Sequence, residues 1–138
     1  MARRRGRGSK ALQEIETALD RGLGRFLGET QGKLNKNAPV ATGRFASSWF
    51  IGQDTPNRSE AAIREKGTTL VEITKFTGNI TIDSKWYISN NLPYAERVCL
   101  DPKYAKNGAG GSAWFTTIVN NLGKDAQDAF DFHLKKVR

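Results

Sequence analysis

The chain of 138 residues contains one cysteine, one histidine and one methionine, and these scarcities remove whole classes of chemistry. Cys99 stands alone, so no internal disulfide can form, which fits a reducing compartment. One cysteine and one histidine, Cys99 and His133, supply neither zinc-ligand spacing nor a Cys-His nucleophile pair. A phosphate-binding loop, a dinucleotide glycine fingerprint and a serine elbow are all missing. No apolar run approaches the roughly 20 residues that span a bilayer. The basic start leads into a charged helix instead of a signal-peptide apolar region, so the expectation is a soluble protein without a membrane partner. Proline is sparse too. Pro39, Pro56, Pro93 and Pro102 fall between segments and act as their breaks.

What is abundant is positive charge. The formal net charge is +8, from 22 basic and 14 acidic residues. Five of the basic residues, Arg3, Arg4, Arg5, Arg7 and Lys10, lie in the first ten positions, and removing these five from 22 leaves 17 against 14. The excess is thus concentrated in the first ten residues; the basic arm is residues 1–8 and the single folded domain residues 9–138. Arginine interleaved with glycine has no apolar surface to offset its ordering entropy, so the arm is expected to be mobile unless held. Its partner could be an acidic protein, nucleic acid, or solvent alone. The body is long enough for a single core, with 38% hydrophobic and 9% aromatic residues.

Ser9 is a candidate N-cap. Leu12, Ile15, Leu19, Leu23, Phe26, Leu27 and Leu34 follow at three- and four-residue steps, which predicts a long amphipathic helix stopped before Pro39. Gly22, Gly24, Gly28 and Gly32 each cost about 0.8–1 kcal/mol against alanine there, so packing must sustain it. They either admit another backbone closely or mark a tolerant solvent face. Thr42-Gly43-Arg44 reads as a turn, and Phe45 to Gly52 as a helical turn becoming a strand by Trp49 to Ile51. Ser59 is placed to cap a short helix running through Ala62 and Ile63 toward Phe76, with a strand over Thr69 to Phe76 as the alternative.

The densest strand signal is Ile80 to Val98. Ile80 and Ile82, then Trp86 and Ile88, alternate with polar residues, which predicts an antiparallel pair turning at Ser84-Lys85. Asn90-Asn91 and Pro93 must end that strand. Asp101 to Ser112, with Gly108, Gly110 and Gly111, reads as a long glycine-rich loop. Ser112 then caps a final helix with Phe115, Ile118, Val119, Leu122, Ala126, Ala129, Phe130 and Leu134 on one face. The fold class expected is α+β: a long N-terminal helix and a C-terminal helix packed on a small antiparallel sheet.

Candidates for chemistry are thin. Glu72 with Asp83-Ser84-Lys85 could imitate the carboxylates and lysine of a magnesium nuclease, although solvent-facing charges at a strand turn explain them as well. Trp49, Trp86 and Trp114 could stack on bases, but each lies in an apolar run that suits a core or a subunit interface. Leu92 and Tyr94, presented at a turn beside a glycine loop, suit a protein contact. No cofactor and no catalytic residue is expected.

Two stretches together carry a likeness. Pro39-Val40-Ala41-Thr42-Gly43-Arg44 leading to Ala46-Ser47-Ser48-Trp49, then Ile88-Ser89-Asn90-Asn91-Leu92-Pro93-Tyr94-Ala95 with Glu96 behind, resembles tailed-bacteriophage neck, head-tail joining and tail-completion proteins. The likeness covers Ser9 to Val98, and departs at Arg97-Val98-Cys99-Leu100, where that family continues into Glu-x-Gly and a shorter loop. It implies a non-enzymatic virion protein forming a ring of six or twelve copies between portal or adaptor and tail proteins, with DNA passing through the lumen. It implies assembly in the host cytoplasm and residence in the virion. The contacts expected in such a ring are Trp49, Leu92, Tyr94 and the loop from Tyr104 through Gly110 and Gly111, with Arg3, Arg4, Arg5 and Arg7 as a second contact. The competing readings are a small basic DNA-binding protein and a magnesium-dependent nuclease.

Overall fold

A single serine starts the longest element. In the computed structural model, which describes residues 9–39, 43–62, 72–101 and 113–137, helix α1 spans Lys10–Asn37. The Ser9 hydroxyl accepts from the Leu12 N–H at 3.2 Å, satisfying one of the four unpaired donors of the first turn. Ala38 is already extended, as the residue before a proline should be, and its N–H closes the helix on Leu34 O.

Downstream come α2 (Arg44–Ser47), β1 (Trp49–Gln53), β2 (Trp86–Asn90), α3 (Ala95–Leu100), α4 (Ala113–Asn120) and α5 (Leu122–Leu134). The fold is α+β. Among the described residues the sheet has two strands, β1 and β2, antiparallel, with Trp49 opposite Asn90 and Ile51 opposite Ile88. Leu34 of α1 and Ala38 just beyond it meet Phe45, Trp49, Leu92, Val98 and Ile118 in one buried cluster, which thus joins α1, α2, β1, α3 and α4.

Several expectations change. Ile80 and Ile82 are not in a strand, and the hairpin at Ser84-Lys85 does not form; β2 pairs instead with β1, more than thirty residues earlier. The reason is local: without an Asn-Gly or Asp-Gly turn the hairpin has no strong nucleus. The segment before β2 finds side-chain partners: Asp20 Oδ1 accepts from the Ile82 N–H at 2.9 Å, and the Trp86 indole donates to Thr81 O at 2.7 Å. Ser59 caps no helix, since residues 59–62 have no regular structure and the Ser59 N–H donates to Asn57 Oδ1 in an Asx turn. Residues 72–76 are likewise outside any strand, and Ile63 to Val71 lie outside the described residues.

The final helix is two helices. At Asn121 the backbone N–H reaches both Thr117 O and Ile118 O while the side chain donates to Thr117 O at 2.9 Å, so asparagine competes with the ladder and α5 begins anew. Ser112 lies outside the described residues. Leu12 and Ile15, expected in the core, are 48% and 40% exposed, because α1 begins beyond the core cluster.

α5 lies antiparallel on α1: Lys33 pairs with Asp125 at 2.7 Å, Gly22 meets Phe130, and Ala18 flanks a groove shared with His133 and Val137. A Cβ at Gly22 would sit 2.9 Å from Phe130 Cα, so here glycine does admit a second backbone. Nothing lies within 4 Å of such a Cβ at Gly28 or Gly32, and there the tolerant-face reading holds.

Candidate interaction surface

The two stretches that carry the resemblance are brought together by this fold. Gly43 adopts φ 87°, a left-handed conformation that a residue with a Cβ resists, and so turns the chain into α2. The Ser48 hydroxyl donates to Arg44 O at 2.6 Å and accepts from the Ala61 N–H at 3.0 Å, fixing the step from α2 to β1. On the other side the Asn90 side chain works in both directions. Its amide donates to Phe45 O at 2.9 Å, and its oxygen accepts from the Leu92 N–H at 3.2 Å, which bends the chain toward Pro93.

Tyr94 then leads into α3. Its ring lies 6.3 Å from that of Phe45, which in turn meets Trp49 at 5.7 Å and Trp114 at 6.1 Å, both edge-on. α3 turns Ala95, Val98 and Cys99 inward and Glu96, Arg97 and Leu100 outward. A shallow depression of about 440 Å³ lies over that outer face, lined by Pro93, Glu96, Arg97, Leu100 and Asp101. Leu100 is 55% exposed and Tyr94 37%.

The expected contact residues therefore separate. Trp49 and Leu92, 6% and 4% exposed, are core residues and cannot be surface contacts of the folded chain; an apolar residue at a turn reads alike whether it points in or out. Tyr94 remains at the surface. Tyr104, Gly110, Gly111, Arg3, Arg4, Arg5 and Arg7 lie outside the described residues. Residues 102–112, outside the described residues, follow Asp101, at the edge of the depression, and precede Ala113, next to the Trp114 that packs on Phe45.

Two donors in this cluster are unsatisfied. The indole N–H groups of Trp49 and Trp114 are buried with no acceptor among the described residues, a condition costing about 1–3 kcal/mol each. Cys99 lies beneath the same surface, its thiol pushed up to about 11 from 9.0 by burial. It is consequently a protonated core residue.

The sequence reading passed over the groups that hold this site from below. Gln31, 2% exposed, donates to Trp49 O at 2.8 Å and Thr74 O at 2.9 Å; one turn on, Asn35 donates to Ala46 O at 2.7 Å and Glu72 O at 3.0 Å. Two carboxamides four residues apart thus tie α1 to α2, to β1 and to the 72–74 segment. Their i, i+4 spacing on the face that runs into the core was the available signal.

Among the described residues no group of three His, Cys, Asp or Glu side chains could hold a metal ion. Trp86 is half-buried, edge-on to Phe76 at 5.1 Å, so its ring is not an open stacking platform. Among the described residues no helix is long and apolar enough to cross a membrane. Comparison with protein-family models, with curated proteins and with solved structures finds no match to this chain.

Proposed function

We propose that the chain is a non-enzymatic ring subunit of the head-tail junction of a tailed bacteriophage, a neck, connector or tail-completion component with DNA passing through its lumen. One observation carries this reading: the two stretches that resemble that family, far apart in sequence, fold into a single unit through Asn90 and Phe45 and present Tyr94 outward, with Leu100 exposed just beyond them. A head-to-tail contact that closes on itself makes a ring, and closure needs an exposed apolar patch on each copy. The α3 surface supplies one such patch.

The test is electron microscopy and analytical ultracentrifugation of the purified protein, joined to mass spectrometry of finished particles. Annular assemblies of six or twelve copies, and the chain among particle proteins, are the expected outcome. Its absence from finished particles would overturn the reading. The concentration of charge at the start of the chain supports a second reading, a small basic DNA-binding protein, in which the arm grips phosphate and affinity falls steeply with salt.

A further inference from the structure

The N-terminal end of α1 and the C-terminal end of α5 meet, and between them they bring three cations, Lys10, Arg21 and Lys136, to one surface. A groove of about 410 Å³ runs between them, bordered by Lys10, Gln13, Thr17 and Arg21 from α1 and by His133 and Lys136 from α5 and its exit. Among the described residues Glu14 is the single carboxylate on its lining. Three cations thus face one acid, and Lys10, Arg21 and Lys136 have no ion-pair partner among the described residues. The first turn of α1 carries no acidic residue either, so the positive end of its macrodipole adds to the same field. His133 registers that field. Its imidazole is held below its ordinary range by burial first, then by Lys136, Arg25 and Arg21.

Three cations on a lining with one carboxylate among the described residues leave an excess of positive charge, which an external anion would balance. The lining says which kind. Ala18 and Val137 complete the described lining and are its two apolar side chains, both small, whereas a protein hot spot needs a desolvated apolar centre. Lysine, arginine, glutamine and threonine together are the side chains that grip phosphate oxygens. Arg25 at 4.0 Å and Lys136 at 4.2 Å lie over the Phe132 ring and compete with a base for its face, which favours a duplex over a single strand.

We propose that this pole binds the phosphate backbone of double-stranded nucleic acid, with Lys10, Arg21 and Lys136 as phosphate contacts and Gln13 and Thr17 as neutral hydrogen-bond partners. The site belongs to the folded body and needs no ring. It therefore stands or falls separately from the assembly reading, and separately from the arm, whose arginines join the chain immediately before it.

The test is fluorescence anisotropy of the full chain, arm intact, with a short random-sequence DNA duplex over a range of salt. Each phosphate contact contributes about 0.9 to the slope of log affinity against log salt. The triple variant Lys10→Gln, Arg21→Gln, Lys136→Gln is expected to lower that slope by about 2–3 and to weaken binding at least about tenfold at moderate salt. Lys85→Gln, an exposed cation elsewhere, should change the slope by no more than about 0.3 if it is not a contact. Glu14→Gln should tighten binding, a gain that no folding defect can imitate. A triple variant with wild-type slope and affinity overturns the proposal. So does a wild-type chain that binds a polyglutamate peptide of equal charge as well as it binds the duplex, which would assign the pole to an acidic protein.

Discussion

A buried carboxamide with two carbonyls to serve is worth more than its helix propensity suggests. Gln31→Leu keeps the volume but strands Trp49 O, and it releases the 72–74 segment from α1 at that point. The expected loss is about 1–3 kcal/mol by chemical denaturation. Gln31→Glu should cost more, because a carboxylate cannot donate to two carbonyls. Cys99 gives a second test at this scale. With its thiol near 11 and its side chain buried, it should resist a thiol reagent at mildly alkaline pH and react once denaturant opens the core. Rapid native labelling would mean that α3 does not pack as described. The sign follows from a folded value raised above 9.0: the thiol's stabilising share is complete below about pH 9 and is lost as pH rises through about 11. His133 acts in the opposite sense. Its folded value lies below the ordinary 6.5, so its share is complete above that pH and is lost as pH falls through the folded value. His133→Gln should flatten the acid side of a stability-pH profile.

At the scale of elements, the glycines of α1 separate two physical roles that composition alone cannot. Gly22→Ala gains about 0.8–1 kcal/mol of propensity but drives a methyl against the Phe130 backbone, where overpacking costs about 1–3 kcal/mol. The net should be destabilising. Gly28→Ala and Gly32→Ala meet no neighbour and should each stabilise by up to about 1 kcal/mol in thermal denaturation. If Gly22→Ala also stabilises, α5 does not lie against it. The elements legible in sequence were those whose signals are local: the Ser9 cap, the stop before Pro39, the helical turn into β1, and the end of β2 at Asn90. What escaped was set over distance. β2 chose β1 over Ile80 and Ile82, and alternation cannot name a partner strand. The break at Asn121 depends on a side chain competing with its own helix, a contest whose winner tertiary packing decides. For the candidate site, the two stretches were legible as a pair, but Leu92 and Trp49 could not be told from surface residues until α1 and α3 closed over them.

The whole molecule has two faces that do different work. One end, where α1 starts and α5 stops, concentrates positive charge; the other, around α3, exposes Leu100 and Tyr94 over a core that already holds Trp49 and Leu92. In a ring subunit the second face should govern self-association while the first does not. Leu100→Asp tests this cleanly, since the side chain is 55% exposed and contributes little to the monomer's core. A charge placed in an apolar subunit contact, copied at every joint, should shift sedimentation from annular species to monomer, as truncating a central interface residue commonly costs about 2 kcal/mol per contact. Thermal unfolding of the dilute monomer should stay within about 0.5 kcal/mol of wild type, as surface substitutions usually do. Arg21→Gln at the opposite pole should leave assembly intact and change only salt-dependent nucleic-acid binding. If Leu100→Asp assembles normally, the α3 surface is not the joint; if Arg21→Gln dissolves the assembly, the charged pole is.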